Sequence, residues 1–287
     1  MSLFQDYLAL TKPRITWLIL MSTAVGFYFG LEQLTPGTLH WTLFHLIFGT
    51  TWIASGTAAL NQWWERESDR FMARTAARPL PAGKIPATNA LVFGIALASL
   101  GYLELWLGCN FLTANLGLFT LVTYLFFYTP LKRISPHSTT VGAVPGAMPP
   151  LIGYAAATGN LTLEAWALYA ILFVWQFPHF YAIAWMYREE YGKAGILMLP
   201  VAEPDGNSTA NRILWTSILM VPTSFLPFVL AMSGKVYMAT AILMGALLLY
   251  CAAKLFRSRT RENARGVLLA SVVYLPVLYA VLIFAPR

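Results

Sequence analysis

The chain has 287 residues, of which 58% are apolar and only 11% charged, well below the roughly 25% charged of a soluble globular domain. That balance excludes water as its main solvent. The net charge of +7 raises a nucleic-acid surface as an alternative, but the basic residues fall in short loops assigned to one membrane side, so no nucleic-acid partner is expected.

A bilayer core about 30 Å thick needs roughly 20 mostly apolar residues per helical crossing. In chain order, nine such stretches are predicted, at residues 15–31, 42–63, 90–107, 111–129, 139–157, 163–186, 213–232, 236–256 and 266–284. The breaks between them are short and carry turn formers or charge, as in Pro36-Gly37, Gly108-Cys109-Asn110, Gly159-Asn160 and Ser233-Gly234-Lys235. Lys and Arg accumulate in loops left on the cytoplasmic side. An N-terminus placed inside leaves only Lys235 and Arg287 of the 19 basic residues outside. The expected fold class is therefore an all-α integral membrane protein of about nine transmembrane helices with a cytoplasmic N-terminus.

Cys109 and Cys251 have neither metal-ligand nor haem-attachment spacing and read as packing residues. The first 14 residues lack the composition of a transit peptide, and no cleavable signal precedes the first apolar stretch, which points to a prokaryotic inner membrane.

Positive-inside bias accounts for arginines but not for acids, so the inside carboxylates are the informative residues. The first cluster leaves the second stretch as Asn61-Gln62-Trp63-Trp64-Glu65-Arg66-Glu67-Ser68-Asp69-Arg70, and continues through Arg74-Thr75 to Arg78-Pro79-Leu80-Pro81. On a helix Asn61, Glu65 and Asp69 stand at i, i+4 and i+8 and form one oxygen-rich stripe. Hard cations such as Mg2+ take oxygen ligands and are shared between one or two carboxylates and a substrate phosphate. Arg66, Arg70 and Arg74 repeat on the adjoining face, with Arg78 ending the segment before Pro79. Guanidinium groups there suit phosphate oxygens. The bland alternative is mutual neutralisation on a solvated helix end. Against it, Asn61 and Glu65 directly follow an apolar crossing, where polar side chains face a bundle interior or a water-filled cavity.

The second cluster ends the sixth stretch: Trp175-Gln176-Phe177-Pro178-His179-Phe180-Tyr181, then Tyr187-Arg188-Glu189-Glu190-Tyr191-Gly192-Lys193. It lies four crossings later, on the same membrane side, consistent with a duplicated four-helix unit (helices 1–4 and 5–8, plus helix 9) within one domain spanning 1–287. On a continuous helix His179 and Glu190 would share a face, about 16 Å apart along the axis. A lone histidine beside a proline also fits a structural hydrogen-bond partner.

At these two clusters the chain resembles the UbiA-type prenyltransferase superfamily, and within it the haem-modifying branch. The likeness extends to Leu10-Thr11-Lys12-Pro13-Arg14, Tyr128-Thr129-Pro130-Leu131-Lys132-Arg133, the run Gly142 to Gly153, and Gly195-Ile196-Leu197-Met198-Leu199-Pro200. The resemblance implies about nine helices around a central cavity, with prenyl diphosphate held through Mg2+ at two acidic motifs. The family's first motif usually reads Asn-Asp, then Asp three residues on and Asp four further; here those positions are Asn61, Gln62, Glu65 and Asp69. In the second motif Tyr187 and Tyr191 take usual Asp positions, leaving Glu190 and Glu189 as acids.

The implied reaction joins farnesyl diphosphate to a vinyl group of protohaem IX with addition of water, giving haem O and diphosphate, with haem as substrate and not cofactor. It implies Asn61, Glu65, Asp69 and Glu190 as metal ligands. Asn61, Arg74, Arg78 and His179 are the expected catalytic residues. Arg66, Arg70, Lys132, Arg133, Arg188, Lys193, Tyr187 and Tyr191 are expected to bind diphosphate or haem propionates. His179 serves the acceptor, by touching haem iron or positioning the water. Trp63, Trp64, Tyr181 and Tyr187 are candidates to face an allylic cation, at about 0.5–2 kcal/mol each, or else are lipid-interface anchors. Membrane lipid is the remaining expected partner, and association with haem A synthase or a terminal oxidase is left open.

Two rival functions have stated signatures. A prenyltransferase acting on a hydroxybenzoate or quinone precursor is disfavoured by Gln62 and the weak second acidic motif. A secondary transporter would place ionisable groups near mid-bilayer, whereas here the acids lie mainly at the inner ends, a count that Glu104 near an outer end does not change.

Overall fold

A computed structural model describes residues 2–31 and 34–285; Arg287, expected outside the membrane, falls beyond the described residues. Every regular element among them is helical: α1 (Leu3–Leu10), α2 (Pro13–Gly30), α3 (Pro36–Asp69), α4 (Ala87–Gly108) and α5 (Phe111–Val122), which continues through a π-helical turn at Thr123–Tyr128 into α6 (Thr129–Ile134). There follow α7 (Ser138–Gly146), α8 (Pro149–Thr158), α9 (Leu163–Met186), α10 (Arg188–Lys193), α11 (Leu199–Ala202), α12 (Asn207–Thr223), α13 (Leu226–Val229), α14 (Lys235–Arg257) and α15 (Arg261–Phe284).

Seven segments among the described residues are long and apolar enough to cross a bilayer: α3, α4, α5 with α6, α9, α12 with α13, α14 and α15. The first of the nine predicted stretches corresponds to α2, only 18 residues long. The fifth is interrupted at Ala147-Met148 and divides between α7 and α8. Pro145, Pro149 and Pro150 crowd this break, and each removes a backbone donor and clashes with the preceding turn.

The chain divides into two compact units. One comprises Met1–Leu131, Met148–Leu161 and Lys193–Gly195, the other Lys132–Ala147, Thr162–Gly192 and Ile196–Arg287.

In the first unit, glycines let helix backbones touch. A Cβ on Gly56 of α3 would lie 2.5 Å from the Ala98 nitrogen, and one on Gly101 of α4 would lie 2.3 Å from the Ile53 nitrogen. Between α2 and α8 the approach is closer still, since a Cβ on Gly153 would stand 1.9 Å from the Thr23 carbonyl oxygen. Small residues drive such packing because lipid gives apolar helices little reason to associate. Near the outer end expected for Glu104, its carboxylate meets His45 Nδ1 at 2.7 Å. At the other end of α3, Leu10, Ala59, Leu80, Ile85 and Ala90 form a small apolar core that holds α1 and the chain after α3 in place.

The second unit is organised on α9, which packs against α7, α12 and α15. Gln176 reaches from α9 to the Ala143 carbonyl at 2.9 Å, a contact that only Gly146 permits, because a Cβ there would stand 2.0 Å from Gln176 Oε1. Ser224 Oγ and Tyr274 Oη meet at 2.8 Å, while Tyr237 Oη donates to the Ser224 carbonyl at 2.9 Å.

Gly153→Ala should cost about 1–3 kcal/mol through overpacking and lower the thermal midpoint in detergent. Gly266→Ala, whose added Cβ meets no heavy atom within 4 Å, should leave it unchanged. Equal midpoints for the two variants would dismiss the backbone contact.

Candidate active site

The C-terminal end of α3 carries the first cluster of candidate site residues. Asn61 is 1% exposed and Asp69 2%, so both need partners within the protein. Asn61 Nδ2 donates to Glu65 Oε2 at 3.0 Å, as the i, i+4 spacing predicts, and to Thr129 Oγ1 at 3.2 Å. Thr129 gives its own hydrogen to the Tyr124 carbonyl at 2.9 Å, so it must accept from Asn61 and the amide orientation is determined. Asn61 Oδ1 then accepts from Lys12 Nζ at 2.9 Å.

Lys12 is a site residue that the residue pattern did not single out. Its backbone is left-handed, φ 47° and ψ 59°, although a following proline biases a residue toward extended conformations. Such strain, of order 1–3 kcal/mol, persists where surrounding structure over-determines it and clusters at functional sites. Here Thr16 Oγ1 bonds the Thr11 carbonyl at 2.9 Å and reaches the Lys12 carbonyl at 3.4 Å. The Lys12-Pro13 pair at the mouth of the first crossing was the available sequence signal.

The expected arginine stripe is corrected. Helix α3 stops at Asp69, so Arg74 and Arg78 stand on no helical face but on a turn-rich segment that folds back. Thr75 causes the fold-back by donating to the Asp69 carbonyl at 2.7 Å, and burial of Met72 and Leu80 holds it. Arg78 thereby reaches Asp69 Oδ2 at 2.7 Å. Arg66 and Arg70 instead pair with Glu67, at 3.6 and 3.1 Å, the mutual neutralisation foreseen as the bland alternative. Trp64 is exposed and touches Phe126 edge-on, as an interface anchor does, while Trp63 packs against the small apolar core.

A cavity of about 270 Å³ opens beside these groups, lined by Asp6, Lys12, Gln62, Arg74, Arg78 and Lys84 among others. Its four lining cations outnumber Asp6 and the Asp69 carboxylate that pairs with Arg78, an excess of positive charge that suits a polyanion. Gln62, at the position where the family commonly has Asp, bonds through Nε2 to the carbonyls of Leu10 at 2.9 Å and Ala9 at 3.3 Å. It ties down the end of α1.

In the second unit, His179 Nδ1 lies 2.9 Å from Ser271 Oγ, and its ring stacks on Trp175 at 4.5 Å. The hydroxyl of Tyr181 is buried without a hydrogen-bond partner. The continuous helix carrying both His179 and Glu190 is also corrected: α9 ends at Met186, and Tyr187 separates it from α10. The physical cause is Arg188, whose guanidinium turns back to the Trp185 carbonyl at 2.9 Å and lies over the Trp185 ring at 4.3 Å. Arg261 lies 5.9 Å from the Tyr187 ring centre. Tyr191 offers its carbonyl to the Ile196 N–H at 2.9 Å, and the Lys132 carbonyl accepts from Leu197 at 2.7 Å. Arg133 and Lys193 are exposed.

Among the described residues no three His, Cys, Asp or Glu side chains gather around one point. The donors fit a hard divalent cation that shares its shell with phosphate oxygens. Asn61 and Glu65 stand in contact, and Lys12 places a positive charge on the amide oxygen that a cation would use. In the second unit, Glu190 Oε2 is separately buried with no hydrogen-bond partner.

The model of the UbiA prenyltransferase family matches residues 19–278. A protoheme IX farnesyltransferase from Solibacter usitatus is 55% identical over 97% of this chain and 98% of its own length. One from Koribacter versatilis is 46% identical over 98% and 93%. Among solved structures, one described as digeranylgeranylglyceryl phosphate synthase overlays with a TM-score of 0.81 at 19% identity, covering 99% of this chain and 98% of that one. A UbiA homologue from Archaeoglobus fulgidus bound to DMAPP and Mg2+ overlays at 0.65 and 17% identity, covering 98% and 100%.

Gln62→Leu should free the end of α1, a loss of about 1 kcal/mol for each hydrogen bond removed. Amide exchange in residues 3–12 should then rise severalfold while α9 keeps its protection. Unchanged exchange in α1 would remove the tethering role.

Proposed function

The chain belongs to the UbiA prenyltransferase family, and from that premise we propose that it transfers a farnesyl group from farnesyl diphosphate to a vinyl group of protohaem IX, with addition of water, giving haem O and diphosphate. It is an enzyme and a multi-pass membrane protein. The observation that carries the acceptor assignment is the 55% identity, over nearly the whole of both chains, to a protoheme IX farnesyltransferase.

The chain works as one transmembrane domain of nine crossings, counting α2 and the pair α7 and α8. Its inner ends face the cytoplasm of a prokaryote. Asn61, Glu65 and Asp69 would hold Mg2+, which when bound supplies positive charge to the departing diphosphate, and Glu190 would serve as a metal ligand within its own unit. Lys12, Arg74, Arg78 and Lys84 do the same with side chains already in position around the cavity. Preorganised charge is the efficient way to stabilise a leaving polyanion, because nothing reorients as the bond breaks. Asp69 serves by holding Arg78 in one geometry, and a charge-assisted contact at 2.7 Å is strong enough to do so. Lys132, Arg133, Arg188 and Lys193 remain for haem propionates, and His179 serves the acceptor. Tyr181, with its unpartnered hydroxyl, offers an aromatic face to the allylic cation.

Purified protein incubated with protohaem, farnesyl diphosphate and Mg2+ should yield a tetrapyrrole heavier by one farnesyl unit plus hydroxyl. Unchanged haem beside a prenylated phenolic acceptor would transfer the assignment to ring prenylation. Asp69→Asn should lower turnover by about 100-fold, the scale of losing one preorganised stabilising group, with the yield of folded protein unaltered. Near-normal turnover in that variant would defeat the role given to the Asp69–Arg78 pair.

A further inference from the structure

Ser271 of α15 is fully buried and meets two side chains of α9. Trp175 Nε1 donates to its carbonyl at 2.7 Å, and His179 Nδ1 stands 2.9 Å from its hydroxyl oxygen. The two rings stack with only 23° between their planes, so the imidazole is held on one side by an indole and at one nitrogen by a serine.

A serine hydroxyl has a single hydrogen, whereas a neutral imidazole has one donor nitrogen and one acceptor. The Ser271 hydrogen is directed to the Leu268 carbonyl, 2.7 Å away and three residues earlier. The oxygen therefore presents lone pairs to His179, and Nδ1 must carry the ring hydrogen for both contacts to be bonds. In the opposite arrangement Ser271 would donate to a bare Nδ1, leaving one bond where two can form.

With its hydrogen on Nδ1, the ring keeps its lone pair on Nε2. Among the described residues nothing bonds to that nitrogen, and His179 is only partly buried. Histidines that ligate a metal present one nitrogen in this way while the other N–H is held by an oxygen, and removing that oxygen weakens the metal bond.

We infer that Ser271 is a positioning residue that fixes His179 in the Nδ1–H tautomer, so that the Nε2 lone pair coordinates the iron of the tetrapyrrole substrate. The ligand part rests on the haem-acceptor reading above; the tautomer part does not. Coordination makes and breaks no bond of the macrocycle. It holds the ring at His179, and the stacked Trp175 keeps the imidazole from turning away.

The chain has four histidines, so 15N NMR of histidine-labelled protein, with His179→Gln to assign the signal, reads the tautomer directly in the absence of haem. Wild type and Ser271→Thr should show hydrogen on Nδ1, and Ser271→Ala a mixture. Hydrogen on Nε2 in wild type would overturn the inference. Titration with ferric haem, followed by absorption and EPR, should give a histidine-ligated spectrum that His179→Gln loses. Ser271→Ala should bind about 10-fold more weakly, the lower end of the effect of removing such a partner, and Ser271→Thr should restore affinity. Identical spectra and affinities in all variants would overturn the ligand role. Wild-type protein that takes up no haem and forms no farnesylated product would overturn the acceptor assignment and the iron contact together, while the NMR result on the tautomer would still stand or fall alone.

Discussion

Taking the Asn61 amide and the Asp69 carboxylate out of water, at 1% and 2% exposure, costs several kcal/mol unless each meets a partner of matching character. Lys12 meets the first and Arg78 the second. Much of the first unit follows from that requirement. The left-handed backbone at Lys12 is tolerated because it delivers an ammonium group to Asn61. The turn after α3 is tolerated because Thr75 and the apolar cluster of Leu10, Ala59, Leu80, Ile85 and Ala90 deliver a guanidinium to Asp69. The outcome is that Lys12 and Arg78 are held in place by their partners, and preorganised cations are what stabilising a departing polyanion demands.

Such precision needs a scaffold that does not yield. Where Gly56 and Gly101 bring α3 and α4 into backbone contact, and Gly153 does the same for α2 and α8, two helices approach so closely that few alternative packings remain. Dispersion between such surfaces is weak per atom and large in sum. Each glycine is thus a positional requirement, set by the carbonyl or amide it faces.

The second unit is held differently. Its long polar side chains seek backbone carbonyls: Gln176 bonds Ala143, Trp175 bonds Ser271, and Trp185 bonds Arg259 at 3.0 Å. In a medium without water, a carbonyl that accepts such a bond relieves an unsatisfied group and ties two helices at once. His179 sits within this web, held at one nitrogen by a residue that is itself held. The oxygens of Thr139, Tyr181, Glu190, Thr209 and Ser233 are exceptions, buried without a hydrogen-bond partner.

Local pattern carried a good deal. Apolar length marked the seven helices that, among the described residues, meet the length and composition needed to span, and the i, i+4 relation of Asn61 and Glu65 appears as a 3.0 Å hydrogen bond. Motif strings marked the family. What pattern did not carry is where a chain folds back, so the stripe extended through Arg74 and the single helix from His179 to Glu190 both ran past real helix ends. Lys12 and Asn61 are 49 positions apart, Gln62 and Leu10 52, His179 and Ser271 92. Hydrophobic periodicity reports on neighbours three or four residues away, within one helix. Partners at these separations are chosen by the packing of whole helices and by the need to satisfy buried polar groups, and only the tertiary structure decides them.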